Sequence, residues 1–366
     1  MSLTDHAPAH IRAIAPYQPG KPIAELAREM GLDESDIIKL ASNENPLGAS
    51  PRALAAIENV LMEVARYPDG NGYDLKSALS ERHGVTREQI VLGNGSNDVL
   101  EMAARAFLMP GASAVFSQYA FAVYPLAVQA AGARGIEVPA RNWGHDLPAM
   151  LKAIEPDTRI VFIANPNNPT GTLAGPDEMA GFLAAVPEDV AVVLDEAYYE
   201  YLSEDLRGDS LALLDKHPNL IVTRTFSKAY GLAGLRVGYA LCSLEVASLL
   251  NRVRQPFNVS NMAQAAAVSA MEDTAFLEEC LAINAAGMVQ ITEGLRALGV
   301  EFIPSHGNFV CCRVGDAAAV NRALLERGVI VRPVAGYGMP EHLRVSIGME
   351  YENRLFLEAL AGVLGK

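Results

Sequence analysis

The sequence predicts an α/β fold: a mostly parallel central sheet flanked by helices in a large domain, followed by a smaller α+β domain. Three observations predict it. From about residue 90, short continuous apolar runs alternate with stretches of helical periodicity, as expected of parallel strands buried on both faces. After Arg254 this alternation gives way to two long helical stretches and then to short strands. Half of the 366 residues are hydrophobic, enough for a large core, and the length exceeds one ordinary domain.

The elements follow in order. Residues 1–40 form an N-terminal arm joining the small domain, with one helix over Ile23–Met30 ended by Gly31, a residue that adopts the left-handed turn closing a helix. The large domain spans 41–255. Its strands are expected at 90–92, 114–116, 135–138, 159–164, 190–195, 220–225 and 237–241, with helices at 97–107, 119–131, 148–154 and 176–186. The small domain, 256–366, carries helices over 261–271 and 276–298, strands at 301–303 and 309–314, a helix at 317–327, strands at 329–332 and 343–347, and a last helix from Glu350. No internal repeat or low-complexity linker interrupts the chain.

Composition excludes several functions. The net charge of −14, from 29 basic and 43 acidic residues, argues against a general nucleic-acid or anionic-membrane binder. The four cysteines, Cys242, Cys280, Cys311 and Cys312, lack metal or redox spacing; Cys311-Cys312 lies in an apolar run and reads as strand packing. This usage suits a reducing compartment, hence the cytoplasm. The first residues lack a basic start followed by an apolar run, so no secretory leader is expected, and no apolar stretch is long enough to span a membrane. The seven histidines have no metal spacing, so no metal is expected.

Four motifs carry the chemistry. Gly93-Asn94-Gly95-Ser96-Asn97-Asp98 follows a strand and opens a helix, where backbone N–H groups can hold an anion; an ordinary strand–turn–helix fits the same residues. Asn165-Pro166-Asn167-Asn168-Pro169-Thr170-Gly171 sits at the end of a strand, where open α/β sheets place ligands, and makes Asn168 a side-chain donor; a plain loop fits equally. Asp195-Glu196-Ala197-Tyr198 ends an apolar strand with a carboxylate that needs a partner, either a helix or loop backbone or the nitrogen of a pyridine ring. Thr225-Phe226-Ser227-Lys228-Ala229-Tyr230-Gly231, followed by Arg236, sets one lysine among small residues with a hydroxyl and an arginine nearby. That setting suits a Schiff-base lysine, which must lose its proton near neutral pH.

In this order the motifs resemble the fold type I pyridoxal-phosphate-dependent aminotransferases, and most of all their histidinol-phosphate aminotransferase branch, from about Tyr17 to Gly348. The resemblance implies a homodimer binding pyridoxal 5'-phosphate. Lys228 then holds the cofactor and shuttles the proton; Asp195 meets the pyridine nitrogen; Tyr198 and Asn168 contact the ring oxygen. The backbone at Ser96 and Asn97, with Thr225, Ser227 and Arg236, cradles the phosphate. Tyr119 stacks on the ring, though a buried tyrosine of an amphipathic helix fits the same position. Tyr67 reaches the phosphate of the neighbouring subunit, though alone it reads as a turn tyrosine. Arg344, in a short apolar strand, clamps a substrate carboxylate or phosphate, unless it serves a structural ion pair. Arg332 takes the phosphate of histidinol phosphate, and Tyr17 and Asn43 line the pocket; Asn43 also fits a simple turn.

The implied reaction converts histidinol phosphate and 2-oxoglutarate to imidazole-acetol phosphate and glutamate, reversibly, in histidine biosynthesis. The rival readings are an aromatic amino acid aminotransferase on the same scaffold, a related decarboxylase, and a non-catalytic regulator. The regulator would need a DNA-binding segment for which this acidic chain has no room.

Overall fold

The computed structural model describes residues 2–17 and 19–366; Met1 and Gln18 lie outside them. Thirteen strands form three sheets among the described residues. In chain order they are β1 (Ile38–Lys39), β2 (Ile90–Gly93), β3 (Ser113–Ser117), β4 (Arg134–Val138), β5 (Thr158–Ala164), β6 (Ala191–Asp195), β7 (Leu220–Thr225), β8 (Gly238–Cys242), β9 (Phe302–Ile303), β10 (Phe309–Arg313), β11 (Val329–Ile330), β12 (Arg332–Pro333) and β13 (His342–Ser346).

The central sheet has the order β2-β8-β7-β6-β5-β3-β4. Every pair in it is parallel except those made by β8, which runs against both β2 and β7. Alternation along β5 shows why the strands read as unbroken apolar runs. Val161 and Ile163 join one apolar cluster, Ile160, Phe162 and Ala164 the other, and each cluster is covered by helices. Ser96–Phe107, Val123–Ala130 and Leu244–Val253 cover one face. Pro51–Val60, Tyr73–His83, Pro176–Ala185 and Asn261–Glu272 contribute to the other. The helix Pro51–Val60 has both start signals: Ser50 accepts from the Ala53 N–H, and Pro51 occupies the first turn.

A second sheet, β12-β13-β10-β9, is antiparallel, and the helices Thr274–Ala297, Ala317–Leu325 and Glu350–Leu364 pack around it. The arm reaches this part of the chain through β1, which pairs in parallel with β11. Its helix Ile23–Met30 ends at Gly31, whose φ of 67° is the left-handed turn expected there.

Two expectations are corrected. The helix expected over 119–131 starts only at Val123, because Tyr119 is in the left-handed region (φ 58°) and the chain turns there before the helix begins. The strand expected over 329–332 is two strands: β11 pairs with β1 and β12 with β13, so one apolar run serves two sheets.

Candidate active site

The topology brings the motifs to one edge. The parallel strands β2, β5, β6 and β7 all end there, and β8, running the other way, starts there at Gly238 just after Arg236. The loops at this edge surround a cavity of about 180 Å³. From the central sheet it is lined by Ser96, Asn97, Asn168, Asp195, Tyr198, Thr225, Ser227, Lys228 and Arg236. Tyr17 and Asn43 come from the N-terminal segment, Arg332 and Arg344 from the antiparallel sheet.

Two titratable groups in this cavity are displaced in opposite directions. Lys228 is pulled down to about 7 by burial, then by the Arg344 guanidinium and more weakly by Arg236, with Glu44 opposing. Its Nζ donates to the Ser42 carbonyl at 2.9 Å, so at neutral pH much of it is a positioned free amine. Asp195 is pushed up to about 6 by burial, although Tyr124 Oη and Thr223 Oγ1 donate to its two oxygens at 2.9 and 3.1 Å and oppose the rise. Among the described residues Asp195 makes no ion pair with any cation. Burial likewise raises Tyr198 to about 12, against Arg344 and the hydrogen bond from Asn43, so its hydroxyl keeps its proton.

Arg344 is 6% exposed and has no carboxylate partner among the described residues. It donates to Asn168 Oδ1 and to the Ala41 carbonyl, and its Nε meets no acceptor. A buried guanidinium in that state is costly unless an anion completes it. Among the described residues, then, Arg344 does not make the structural ion pair that its residue type also allowed.

A second anion position lies where the helix Ser96–Phe107 begins. Gly95 (φ 76°) precedes it, and a Cβ there would run into the Arg236 guanidinium. A Cβ on Gly238 would stand 2.5 Å from the Ser96 nitrogen. These two glycines let the helix start, Arg236 and the β7 end close on one spot. Arg236 donates to Ser227 Oγ, and the Ser227 N–H to Thr225 Oγ1. N–H groups, hydroxyls and a guanidinium converging there suit a phosphate.

Two expected site residues stand elsewhere. Tyr119 does not line the cavity: its left-handed backbone turns the ring toward Trp143, at 5.3 Å between centroids, and Phe121 lines the cavity instead. Tyr67 is 83% exposed and stacks on Phe257 at the surface, outside this chain's cavity. Sequence reasoning missed Phe121, Tyr337 and Ser42 on the cavity wall, and Tyr124 behind Asp195. Phe121 was within reach, two residues from Tyr119 in the same turn. Tyr124 gave no local signal, since its partner lies 71 residues away.

A family model for aminotransferases of class I and II matches residues 35–360. The chain belongs to the class I and II aminotransferases. Among its relatives, histidinol-phosphate aminotransferase 2 of Nitrosospira multiformis is 64% identical, the match covering 99% of this chain and 92% of that one. Histidinol-phosphate aminotransferase 1 of Thiobacillus denitrificans is 63% identical, over 98% and 93%. The aminotransferase fold is shared with the histidinol-phosphate aminotransferase of Sinorhizobium meliloti, solved in complex with pyridoxal-5'-phosphate, at TM-score 0.90, 31% identity and 98% coverage of both chains. An L-threonine-O-3-phosphate decarboxylase from Porphyromonas gingivalis shares the fold alone, at 24% identity and TM-score 0.80.

Proposed function

We propose that this protein is a pyridoxal-phosphate-dependent aminotransferase that converts histidinol phosphate and 2-oxoglutarate to imidazole-acetol phosphate and glutamate, reversibly, in histidine biosynthesis. The observation that carries the reading is the pairing, in one cavity, of a half-buried lysine drawn down to about 7 with a buried arginine that has no carboxylate partner among the described residues. Identity of 64% to a histidinol-phosphate aminotransferase supports the choice of substrate.

The residues fit the cofactor. Asp195, raised by burial and lacking a cation, suits a protonated ring nitrogen; the Gly95–Arg236 cradle suits the phosphate; Asn168 and Tyr198 suit the ring oxygen. Phe121 lines the cavity where Tyr119 does not, and the covering of the ring is therefore assigned to it. Pyridoxal phosphate, when bound, supplies the carbonyl that takes the amino group and a ring that accepts the electrons released on deprotonation. Lys228 anchors it, then serves as the base that removes the substrate α-proton and returns it to the cofactor carbon. Asp195 keeps the ring nitrogen protonated. Arg344 binds the carboxylate of glutamate or the phosphate of histidinol phosphate, and Arg332, whose guanidinium lies 5.4 Å from the centre of the Tyr17 ring, adds to the phosphate.

The reading extends to assembly and place. The chain works as a homodimer, with the exposed Tyr67 completing the neighbouring phosphate site. It acts in the cytoplasm, in line with four free cysteines. The arm (1–40), a large cofactor-binding domain (41–255) and a small domain (256–366) are its working parts, with Asn43 and Tyr17 joining them at the cavity.

Initial rates for histidinol phosphate and phenylalanine, each with 2-oxoglutarate at matched concentrations, test the reading. Histidinol phosphate should turn over at least tenfold faster. Faster turnover of phenylalanine would establish the aromatic aminotransferase instead, and release of carbon dioxide from a phosphorylated amino acid, supplied in a parallel reaction, the decarboxylase.

A further inference from the structure

The Tyr198 hydroxyl accepts a hydrogen bond from Asn43 Nδ2 at 2.9 Å, and among the described residues no acceptor receives its proton. The direction of that proton therefore depends on which end of the Asn43 amide faces it. Asn43 is buried, in the left-handed region (φ 53°). Its backbone is tied at both ends: its N–H donates to Ser346 Oγ at 2.8 Å, and its carbonyl accepts from Asn308 Nδ2 at 3.0 Å. Ser346 Oγ, already an acceptor, spends its single proton on Asn43 Oδ1 at 3.0 Å. With Oδ1 accepting the Ser346 proton, the amide presents its NH₂ to Tyr198. A turned amide would take away Oδ1, the one acceptor that the Ser346 proton has among the described residues, and would set that acceptor against Tyr198. Ser346 lies two residues from Arg344 on β13 and so on the same face of that strand.

We propose that Ser346 is a positioning residue: by fixing the Asn43 amide it forces Tyr198 to accept from Asn43 and to donate its own proton into the cavity. The inference rests on the cofactor reading above. There the donated proton would stabilise the anionic ring oxygen of pyridoxal phosphate. The chain of contacts runs from the antiparallel sheet that carries Arg344 to the Tyr198 hydroxyl on the cavity wall, so it would link the anion-binding wall to the ring oxygen.

The test is the pH midpoint of the absorbance change of the pyridoxal phosphate-loaded protein. In Ser346→Ala the amide is free to turn, Tyr198 can donate to it, and the midpoint should rise by about one pH unit. Ser346→Thr, which keeps the hydroxyl, should restore the original midpoint. Asn43→Asp offers Tyr198 only acceptors and should raise the midpoint without removing the backbone N–H that Ser346 receives, which covers the case that Ser346→Ala does not fold. Each shift should vanish when the substitution is repeated in a Tyr198→Phe background. An unchanged midpoint in folded Ser346→Ala or Asn43→Asp, or a shift that persists in full without the Tyr198 hydroxyl, would overturn the proposal. A wild-type protein with no pyridoxal phosphate absorbance would instead sink the cofactor reading, and this inference with it.

Discussion

Asp195→Asn should make the cofactor-free protein more stable while nearly abolishing its activity. Asp195 titrates near 6 in the fold because burial penalises its charge, against an ordinary 3.8. The folded state therefore binds more protons than the unfolded chain between those values, and stability falls as pH rises through them. At about 1.4 kcal/mol per pH unit, the ionised carboxylate costs the fold about 3 kcal/mol at pH 8 and roughly half that at pH 5. Asparagine keeps the shape and removes the charge. Its amide leaves one of the two donors, Tyr124 or Thr223, to find a new arrangement, a loss of about 1 kcal/mol. The net expectation is a gain of about 2 kcal/mol at pH 8 that shrinks toward zero at pH 5. Activity moves the other way. A carboxylate about 2.8 Å from a ring N–H⁺, at an effective dielectric of about 20, contributes close to 6 kcal/mol, or about four decades of rate if the charge is needed in the transition state. Urea unfolding of cofactor-free wild type and variant, at pH 5 and 8 and one protein concentration, measures the first effect; kcat of the loaded enzymes measures the second. A variant less stable than wild type at pH 8 would refute the reasoning about burial.

Three further outcomes are expected. Because Lys228 is drawn down to about 7, the rate at which cofactor-free protein takes up pyridoxal phosphate should climb through pH 7 and level off by pH 9; a midpoint near 10 in stopped-flow absorbance would show an ordinary lysine. Arg344→Met should raise KM for glutamate and for histidinol phosphate alike by about 100-fold, the equivalent of two charge-assisted hydrogen bonds. Arg332→Met should raise it for histidinol phosphate alone, and steady-state kinetics showing the reverse pattern would exchange the two roles. If Tyr67 serves the neighbouring subunit, then mixing inactive Lys228→Ala chains with Tyr67→Ala chains should yield hybrids with one complete site. Co-expression with two affinity tags isolates them, and hybrids that bind cofactor no more tightly than Tyr67→Ala itself would exclude a shared site.

The central sheet was legible because its strands are buried on both faces. Residues 158–164 need apolar side chains at nearly every position, so the run stands out without any periodicity. The reversed direction of β8 was not legible: the 12 residues between β7 and β8 carry no local sign of whether the chain returns parallel or antiparallel. The break at Val331 was hidden because Val329, Ile330 and Val331 are all buried while the partner strand changes. Lys228, Asp195, Asn168 and Arg236 could be picked out because each follows a strand within a distinctive local run. Tyr124, Phe121 and Ser346 could not, since each acts through a contact that only the tertiary fold creates: Ser346 meets Asn43 across 303 positions. Tyr119 was misplaced for a local reason, because a left-handed tyrosine is too uncommon to anticipate.

The opposed shifts of Lys228 and Asp195 have a common meaning. Both charged forms are disfavoured by the same burial, and the two groups do not relieve each other, since no ion pair joins them among the described residues. The cofactor-free fold therefore holds a carboxylate that wants a cation and an amine already prepared to react with a carbonyl. A ligand that offers a protonated ring nitrogen at one end of the cavity and an aldehyde near the other relieves both, which is a basis for recognition that neither residue provides alone. The anionic parts of the ligands meet a different charge. The chain as a whole carries −14, yet Arg236, Arg332, Arg344 and Lys228 all line this one cavity against a single carboxylate, Asp195. A net acidic surface repels phosphates and carboxylates in general, while a positive cavity with low-dielectric walls focuses its field on those that reach the opening. The arginines come from two separate sheets, Arg236 beside β8 and Arg332 and Arg344 on β12 and β13, so the cavity offers cations from two walls, a basis for holding two anionic groups at once.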